Sequence, residues 1–278
     1  MESAPPLRKE GIASFFAQAA RSFGQEDQGI RRFPHFGRRL VEVADLPVGG
    51  RVLDVATGRG AVLFPAAQRV GPSGSVLGID ITPTMIEATA AEIAQHGLPN
   101  IMVRVMDAEQ LDLPDASFDA VLCGFGVMFF PHLADALQGF RRVLKPGGII
   151  AVSTWAGPDP NYAWELDLWR SYGIWDRHPM RQMAQRLAER EEVAAVLGAA
   201  GFTDIRVLPE VDELRHADAD QWWERAIQQA PARASIESLG PERAAQFKQD
   251  AFTKLAPLRG PSGLRQRVEA CFGLGRNP

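Results

Sequence analysis

The chain has 278 residues, 46% of them hydrophobic, enough to bury an enzyme-sized core without disulfide staples. Thirty basic residues against 34 acidic ones leave a net charge of -4 with no basic block, which argues against a nucleic-acid partner. Cys123 and Cys271 follow no metal or redox spacing, and no apolar run of signal or membrane length appears, so a soluble cytoplasmic protein with reduced thiols and no membrane contact is expected.

Residues 1 to 10 are polar and suggest no regular element. Between Ile12 and Phe23, the side chains Phe15, Phe16, Ala19, Ala20 and Phe23 fall on one face of a helix. Arg38 to Leu46 gives a second helix, closed by the turn Pro47-Val48-Gly49-Gly50. The next stretch, RVLDVATGRG at 51–60, organises the chain. Val52, Leu53 and Val55 read as a short buried strand, and Asp54 is an acid inside it, costly to bury unless a hydrogen bond or positive charge meets it. Ala56, Gly58 and Gly60 follow, where missing or tiny side chains let a ligand approach the backbone closely.

Ala61 to Val70 reads as a helix whose free N–H groups face that loop, with Pro65 near its first turn. Val76 to Asp80 returns as a strand, and Asp80 lies twenty residues beyond Gly60, the separation at which an acid reaches ribose hydroxyls from the neighbouring strand. Thr82 and Pro83 start a helix with Ile86, Ala90 and Ile93 on one face and Gly97 as its stop. Ile101, Val103 and Val105 make a third strand leading to Asp107, and Phe118 to Leu122 a fourth. A helical stripe from Leu133 to Leu144 ends at Lys145-Pro146-Gly147-Gly148, and Ile149 to Thr154 is the fifth strand. Strands alternating with helices require a parallel sheet with helices on both sides, and its ligands bind at the carboxyl ends of the strands. Asp54, Asp80, Asp107, Cys123 and Trp155 share that rim.

Four segments, VLDVATGRG, GIDITPTMIE, MDAEQLDLPDASFDAV and RRVLKPGG, carry a resemblance covering roughly residues 45 to 155, with a weaker match at GFTDIRVL. The sequence resembles the class I S-adenosylmethionine-dependent methyltransferases, in the branch that contains the ubiquinone and menaquinone C-methyltransferases and many natural-product tailoring enzymes. A nicotinamide dehydrogenase would also use a glycine turn and an acid, but its G-x-G-x-x-G is replaced here by D-x-A-x-G-x-G. The resemblance implies an α/β fold: a Rossmann-like, seven-stranded, mostly parallel sheet with helices on both faces, N-terminal helices and an aromatic cap insert. One structural domain is expected, with a helical lid at 1–50, the cofactor-binding core at 51–155, the aromatic cap insert and a helix at 156–200, and the last strand pair with C-terminal helices at 201–278.

The resemblance also assigns residues. Asp54 with the backbone of Ala56 and Gly58 would hold the methionyl group, and Gly60 would let the helix approach. Asp80 would bind both ribose hydroxyls, Ile81 and Met85 would cover the adenine, and Asp107 with the Ala108 amide would read its edge. Cys123 and Gly124 would pass near the methyl-bearing sulfur. The family more often has glycine where this chain has Ala56. Asp107 could instead cap a turn, and Cys123 has the character of a small core residue with nothing nearby to activate it.

All six Trp and both Tyr follow residue 154, with Trp155, Tyr162, Trp164, Trp169, Tyr172 and Trp175 crowded into about twenty positions. Some must be ordinary packing, but an aromatic insert after the fifth strand would hang over the rim as a lid or wall. Phe23 and Phe33 from the N-terminal segment and Trp155, Trp164 and Trp175 are the candidate substrate contacts. Glu191 to Ala200 is a helix, Thr203 to Leu208 a strand paired antiparallel with Val211 to Arg215, Ala219 to Gln229 a helix that docks Trp222 and Trp223 on the core, and Pro241 to Leu255 the last helix, with a tail from Gly260.

A sulfonium is already a reactive methyl donor, so alignment and exclusion of water dominate and a base is optional. His178 and His35 are the candidate bases, whereas His132 opens a helix. After the fourth strand the chain reads CGFGVMFF, without the Asn/Asp-Pro-Pro-Phe/Tyr signature of base and amide N-methyltransferases, and no carboxylate cluster suggests a metal. The expected activity is methyl transfer, with S-adenosylhomocysteine as product, to carbon, nitrogen or oxygen of a mostly apolar, aromatic small molecule in secondary metabolism. Quinone-ring C-methylation is the alternative, and a non-methylating cyclase or binding module that keeps the cofactor is a second.

Overall fold

The computed structural model describes residues 8–20, 32–175, 186–228 and 230–278. Its helices are α1 Lys9–Ala19, α2 Arg32–Ala44, α3 Leu63–Val70, α4 Pro83–His96, α5 Leu133–Val143, α6 Trp164–Ser171, α7 Arg190–Ala199, α8 Ala219–Gln228, α9 Ala230–Glu237 and α10 Pro241–Leu255. The strands are β1 Arg51–Val55, β2 Ser75–Asp80, β3 Ile101–Val105, β4 Phe118–Gly124, β5 Leu144–Trp155, β6 Thr203–His216 and β7 Leu264–Arg276. They form one sheet in the order β3-β2-β1-β4-β5-β7-β6. β1 to β5 pair in parallel, while β7 runs antiparallel to both β5 and β6. Strand order reverses between β1 and β4, which opens the crevice where ligands of such sheets bind.

Alternate residues of the central strands feed two cores. Val52, Val76, Ala120 and Leu122 pack with Leu40 of α2 and Ala66 of α3. Leu53, Ile79, Val121 and Ile150 pack with Phe140 of α5 and Leu197 of α7. A sheet covered on both faces needs apolar side chains at consecutive positions, which is why β1 from Val52 onward and β4 carry unbroken apolar runs apart from Asp54 and Asp119. Gly97 closes α4 in the left-handed conformation, as its sequence position suggested.

The end of the sheet differs from the sequence reading. Val211 to Arg215 does not fold back on Thr203 to Leu208; β6 runs through both segments and pairs with β7, which the tail from Gly260 contains. Leu264, Gln266, Val268, Ala270, Phe272 and Leu274 alternate onto one face of β7, but charged residues lie between the first of them. Gly273 and Gly275 further weaken the strand signal, and Gly273 is needed because a Cβ there would lie 2.5 Å from Val193 Cγ1 of α7.

The last pairing of β5 joins Trp155 to Ala270, and the β6–β7 ladder continues from Val211–Glu269 to His216–Leu264. The ladder therefore projects past the rim and carries α8, α9 and α10 between its strands. A third cluster forms there from Tyr162, Leu168, Ile174, Trp222, Ile236, Phe247, Leu255 and Leu264. Trp222 and Trp223 dock on this cap rather than on the cores beside the sheet. No helix among the described residues is long and apolar enough to cross a membrane.

Candidate active site

β1 ends in a loop built on the left-handed residues Ala56 (φ 54°), Gly58 (φ 51°) and Gly60 (φ 79°). Gly60 tolerates no side chain, since a Cβ would lie 2.5 Å from the Phe64 ring. The loop is tied down by its neighbours: Thr57 N–H donates to the Ile79 carbonyl at 2.9 Å, Gly60 N–H to the Thr57 carbonyl at 2.8 Å, and Thr89 Oγ1 to the Gly58 carbonyl at 2.7 Å.

Asp54 is 1% exposed, and its Oδ2 accepts the Thr57 hydroxyl at 2.6 Å while Oδ1 is buried without a hydrogen-bond partner. Burial pushes this carboxyl up to about 7, the Thr57 hydroxyl pulls it back, and the charge of Asp80 raises it further. Asp80, at the end of β2, accepts the Gly58 N–H at 3.0 Å and the Thr82 N–H at 2.9 Å. Burial raises its pKa as well, opposed by those amides. Two adjacent acids held above their ordinary range, with no cation paired to either among the described residues, make a place suited to a positive ligand.

Met85 is buried and Ile81 half-buried at the start of the β2–α4 segment. Asp107, two residues past β3, accepts the Glu109 N–H at 2.9 Å through Oδ1 and pairs with Lys9 of α1 at 2.6 Å through Oδ2. Lys9 also lies 2.6 Å from Glu109, so α1 reaches across this part of the rim, and Phe16 meets Phe129 edge to face at 4.9 Å. Ala108 is buried beside them.

Cys123 is fully buried, and burial pushes its thiol up, followed by the charge of Asp54, so it stays protonated. A Cβ on Gly124 would lie 2.7 Å from Val62 Cγ2, and one on Gly126 would lie 2.6 Å from Cys123 Sγ and 2.7 Å from Ala56 Cβ. Gly126 is thus required where the β1 and β4 loops touch; CGFGVMFF offered only a second glycine as its signal. Thr57 and Thr89 were also missed, as hydroxyl residues that a motif of acids and glycines does not single out.

At the acceptor side, Phe125 adopts φ 57° and donates its N–H to both the carbonyl and Oγ of Ser153 at 3.1 Å. Its ring stacks on Trp155, and Phe33 meets both rings edge to face at 5.5 and 5.7 Å. Phe33 and Trp155 are therefore brought together, with Phe125 as a partner the sequence did not reveal. Trp164 is elsewhere, against Tyr162 at 6.2 Å and Trp222 at 5.8 Å. Trp175 is half-buried where the described cap segment ends. His35 rests edge-on against Phe36 at 5.1 Å with its buried Nε2 lacking a hydrogen-bond partner, and His132 N–H donates to Glu109 Oε1 at 2.6 Å. Phe23 and His178 lie outside the described residues.

A family model described as a methyltransferase domain matches residues 52–148. Nocamycin O-methyltransferase from Saccharothrix syringae is 37% identical over 207 residues, covering 69% of this chain and 73% of that protein. Aklanonic acid methyltransferase DauC from Streptomyces sp. (strain C5) is 42% identical over 147 residues, covering 51% and 67%. Among solved structures, the [4+2]-cyclase SpnF matches with a TM-score of 0.60 at 18% identity, covering 100% of this chain and 99% of that one, a likeness of fold alone. Identity over that share of a curated relative, on a sheet whose strand tips hold Asp54 and Asp80, establishes that the chain belongs to the class I S-adenosylmethionine-dependent methyltransferases and is an enzyme of that family.

Proposed function

We propose that the enzyme methylates a mostly apolar, aromatic small molecule of secondary metabolism, with the cofactor held over the tips of β1, β2 and β3. The observation that carries the reading is the orphaned Asp54 Oδ1 beside a left-handed loop in which a side chain at Gly60 would run into the Phe64 ring. When bound, S-adenosylmethionine supplies an electrophilic methyl on a sulfonium. Asp54, with the backbone of Ala56 and Gly58, holds the methionyl amino and carboxylate groups. Gly60 lets α3 approach. Asp80 takes the ribose hydroxyls, Ile81 and Met85 cover the adenine, and Asp107 with Ala108 reads its edge, for which Lys9 must share or leave the Asp107 carboxylate. Cys123 and Gly124 shape the space near the sulfur.

Phe33 and Trp155 hold the acceptor ring and exclude water from the line of transfer. Trp164 and Trp175 act from the cap as outer walls, Phe23 joins them from the lid, and His35 or His178 serves an acceptor whose nucleophile must lose a proton. The names of the two curated relatives, a nocamycin O-methyltransferase and an aklanonic acid methyltransferase, support a tailoring role.

The test is incubation with methyl-labelled S-adenosylmethionine and a panel of phenols, indoles, amines and aromatic acids. Label in an acceptor supports the reading. Cofactor binding with no transfer to any acceptor favours the non-methylating alternative.

A further inference from the structure

We propose that Arg32, Glu165 and His216 form a recognition site for an acidic group of the acceptor, a carboxylate or ionised enol carried beside the ring that Trp155 holds. This rests on the reading of the Trp155 chamber as the acceptor site.

Arg32 opens α2 with its guanidinium carbon 6.0 Å from the Trp155 ring centroid. Its side chain is half-buried. Among the described residues it makes no hydrogen bond or ion pair, although a guanidinium carries five N–H donors in a fork suited to a carboxylate. Burial works against its charge, and Glu165 and Asp212 oppose that effect only through their charge.

The neighbours are donors as well. His216, at the end of β6 and 3% exposed, has Nδ1 3.5 Å from Arg225 Nη1. Arg225 can only donate, which makes Nδ1 the acceptor and leaves the proton on Nε2, a buried atom without a partner. Burial and the charges of Arg225 and Arg32 push this histidine down to about 4, so it stays neutral. Tyr162 Oη and Trp164 Nε1, next to Glu165 in sequence and buried, also lack partners.

Glu165 is the carboxyl that faces these groups. Its Oε1 accepts Gln266 Nε2 at 3.1 Å. Burial pushes it up to about 7, with the Arg32 charge and the Gln266 bond pulling it back. Near neutral pH it is therefore protonated part of the time and leaves the donor excess unmet. The unpartnered Arg32 guanidinium and the His216 Nε2–H, faced only by a carboxyl that is protonated part of the time, call for a ligand that brings an acceptor.

The experiment uses the whole protein loaded with S-adenosylhomocysteine, whose own binding is measured first by calorimetry. Tryptophan quenching then compares 2-naphthoate with the neutral 2-naphthamide. The wild type should bind the acid about ten- to a hundredfold more tightly, as expected of a charge-assisted pair away from water. Arg32→Gln should abolish the preference, Arg32→Lys should restore part of it, and Glu165→Gln should enhance it, with S-adenosylhomocysteine affinity unchanged in all three. Equal binding of the two probes by wild type, binding of neither, or a preference that survives Arg32→Gln overturns the inference. Wild-type protein that fails to bind S-adenosylhomocysteine sinks the cofactor assignment instead.

Discussion

Phe125 and Trp155 stack face to face with ring centroids 3.9 Å apart and planes 21° apart, joining the tips of β4 and β5. The pair is fixed from below, since Phe125 holds a positive φ only because its N–H is anchored on Ser153. Trp155→Ala removes the stack and its contacts with Phe33 and Phe36. It should destabilise the protein by about 2–4 kcal/mol, raise acceptor KM and lower kcat, and leave S-adenosylhomocysteine affinity within a factor of about two. Denaturant melts, steady-state kinetics and calorimetry separate these effects, and Trp155→Phe should recover most of the stability.

Asp80 is an acceptor for two loop amides as well as the proposed ribose ligand. Asp80→Ala should weaken S-adenosylhomocysteine binding by about a hundredfold, while Asp80→Asn, which keeps one carbonyl acceptor, should cost less. Calorimetry checks it, and affinity equal to wild type in Asp80→Ala would remove the ribose assignment.

The acid at the end of β1 gives the site a pH dependence. A carboxyl at about 7 in the folded chain and near 4 when unfolded holds its proton more tightly in the native state. Its contribution to stability is thus fully present below pH 4 and lost as pH rises towards 7, and Glu165, also at about 7, acts in the same direction. The melting temperature of the free protein should fall between pH 5 and 7.5, less steeply in Asp54→Asn. Binding of the amino-acid ammonium beside it favours the ionised acid, so S-adenosylhomocysteine affinity should climb over the same interval and its binding should release a proton. Calorimetry in buffers of different ionisation enthalpy reads that proton.

Ala56 carries a methyl group at φ 54°, where glycine is free of the steric penalty. Ala56→Gly should stabilise the chain by about 0.5–1 kcal/mol and retain cofactor binding. Gly126→Ala should cost about 1–3 kcal/mol, because its Cβ meets Cys123 Sγ and Ala56 Cβ. The double variant should recover part of that loss, since one of the two clashes disappears. Thermal melts of the three variants test the relation.

The parallel half of the fold was readable because each strand tip is followed by residues with one structural meaning: Gly58 and Gly60 for the loop, Pro83 and Gly97 for the ends of α4, and Asp54 and Asp80 as acids where apolar runs end. β7 was not, since its apolar alternation is interleaved with Arg265, Arg267 and Glu269 and thinned by glycines that make room for α7. The site shows the same division. Residues on one loop could be named together, whereas Phe33, Phe125 and Trp155 meet only because α2 crosses the tips of β4 and β5. Arg32, Glu165 and His216 come from three distant parts of the chain, and no spacing rule connects them.

The ladder of β6 and β7 beyond Trp155 has an evolutionary corollary. Everything between His216 and Leu264 enters and leaves through two strands already locked side by side, so that interval can be lengthened, shortened or exchanged without shifting the register of the sheet. Selectivity for new acceptors can thus diversify in a cassette held at both ends, while the cradle at the tips of β1 and β2 is inherited intact.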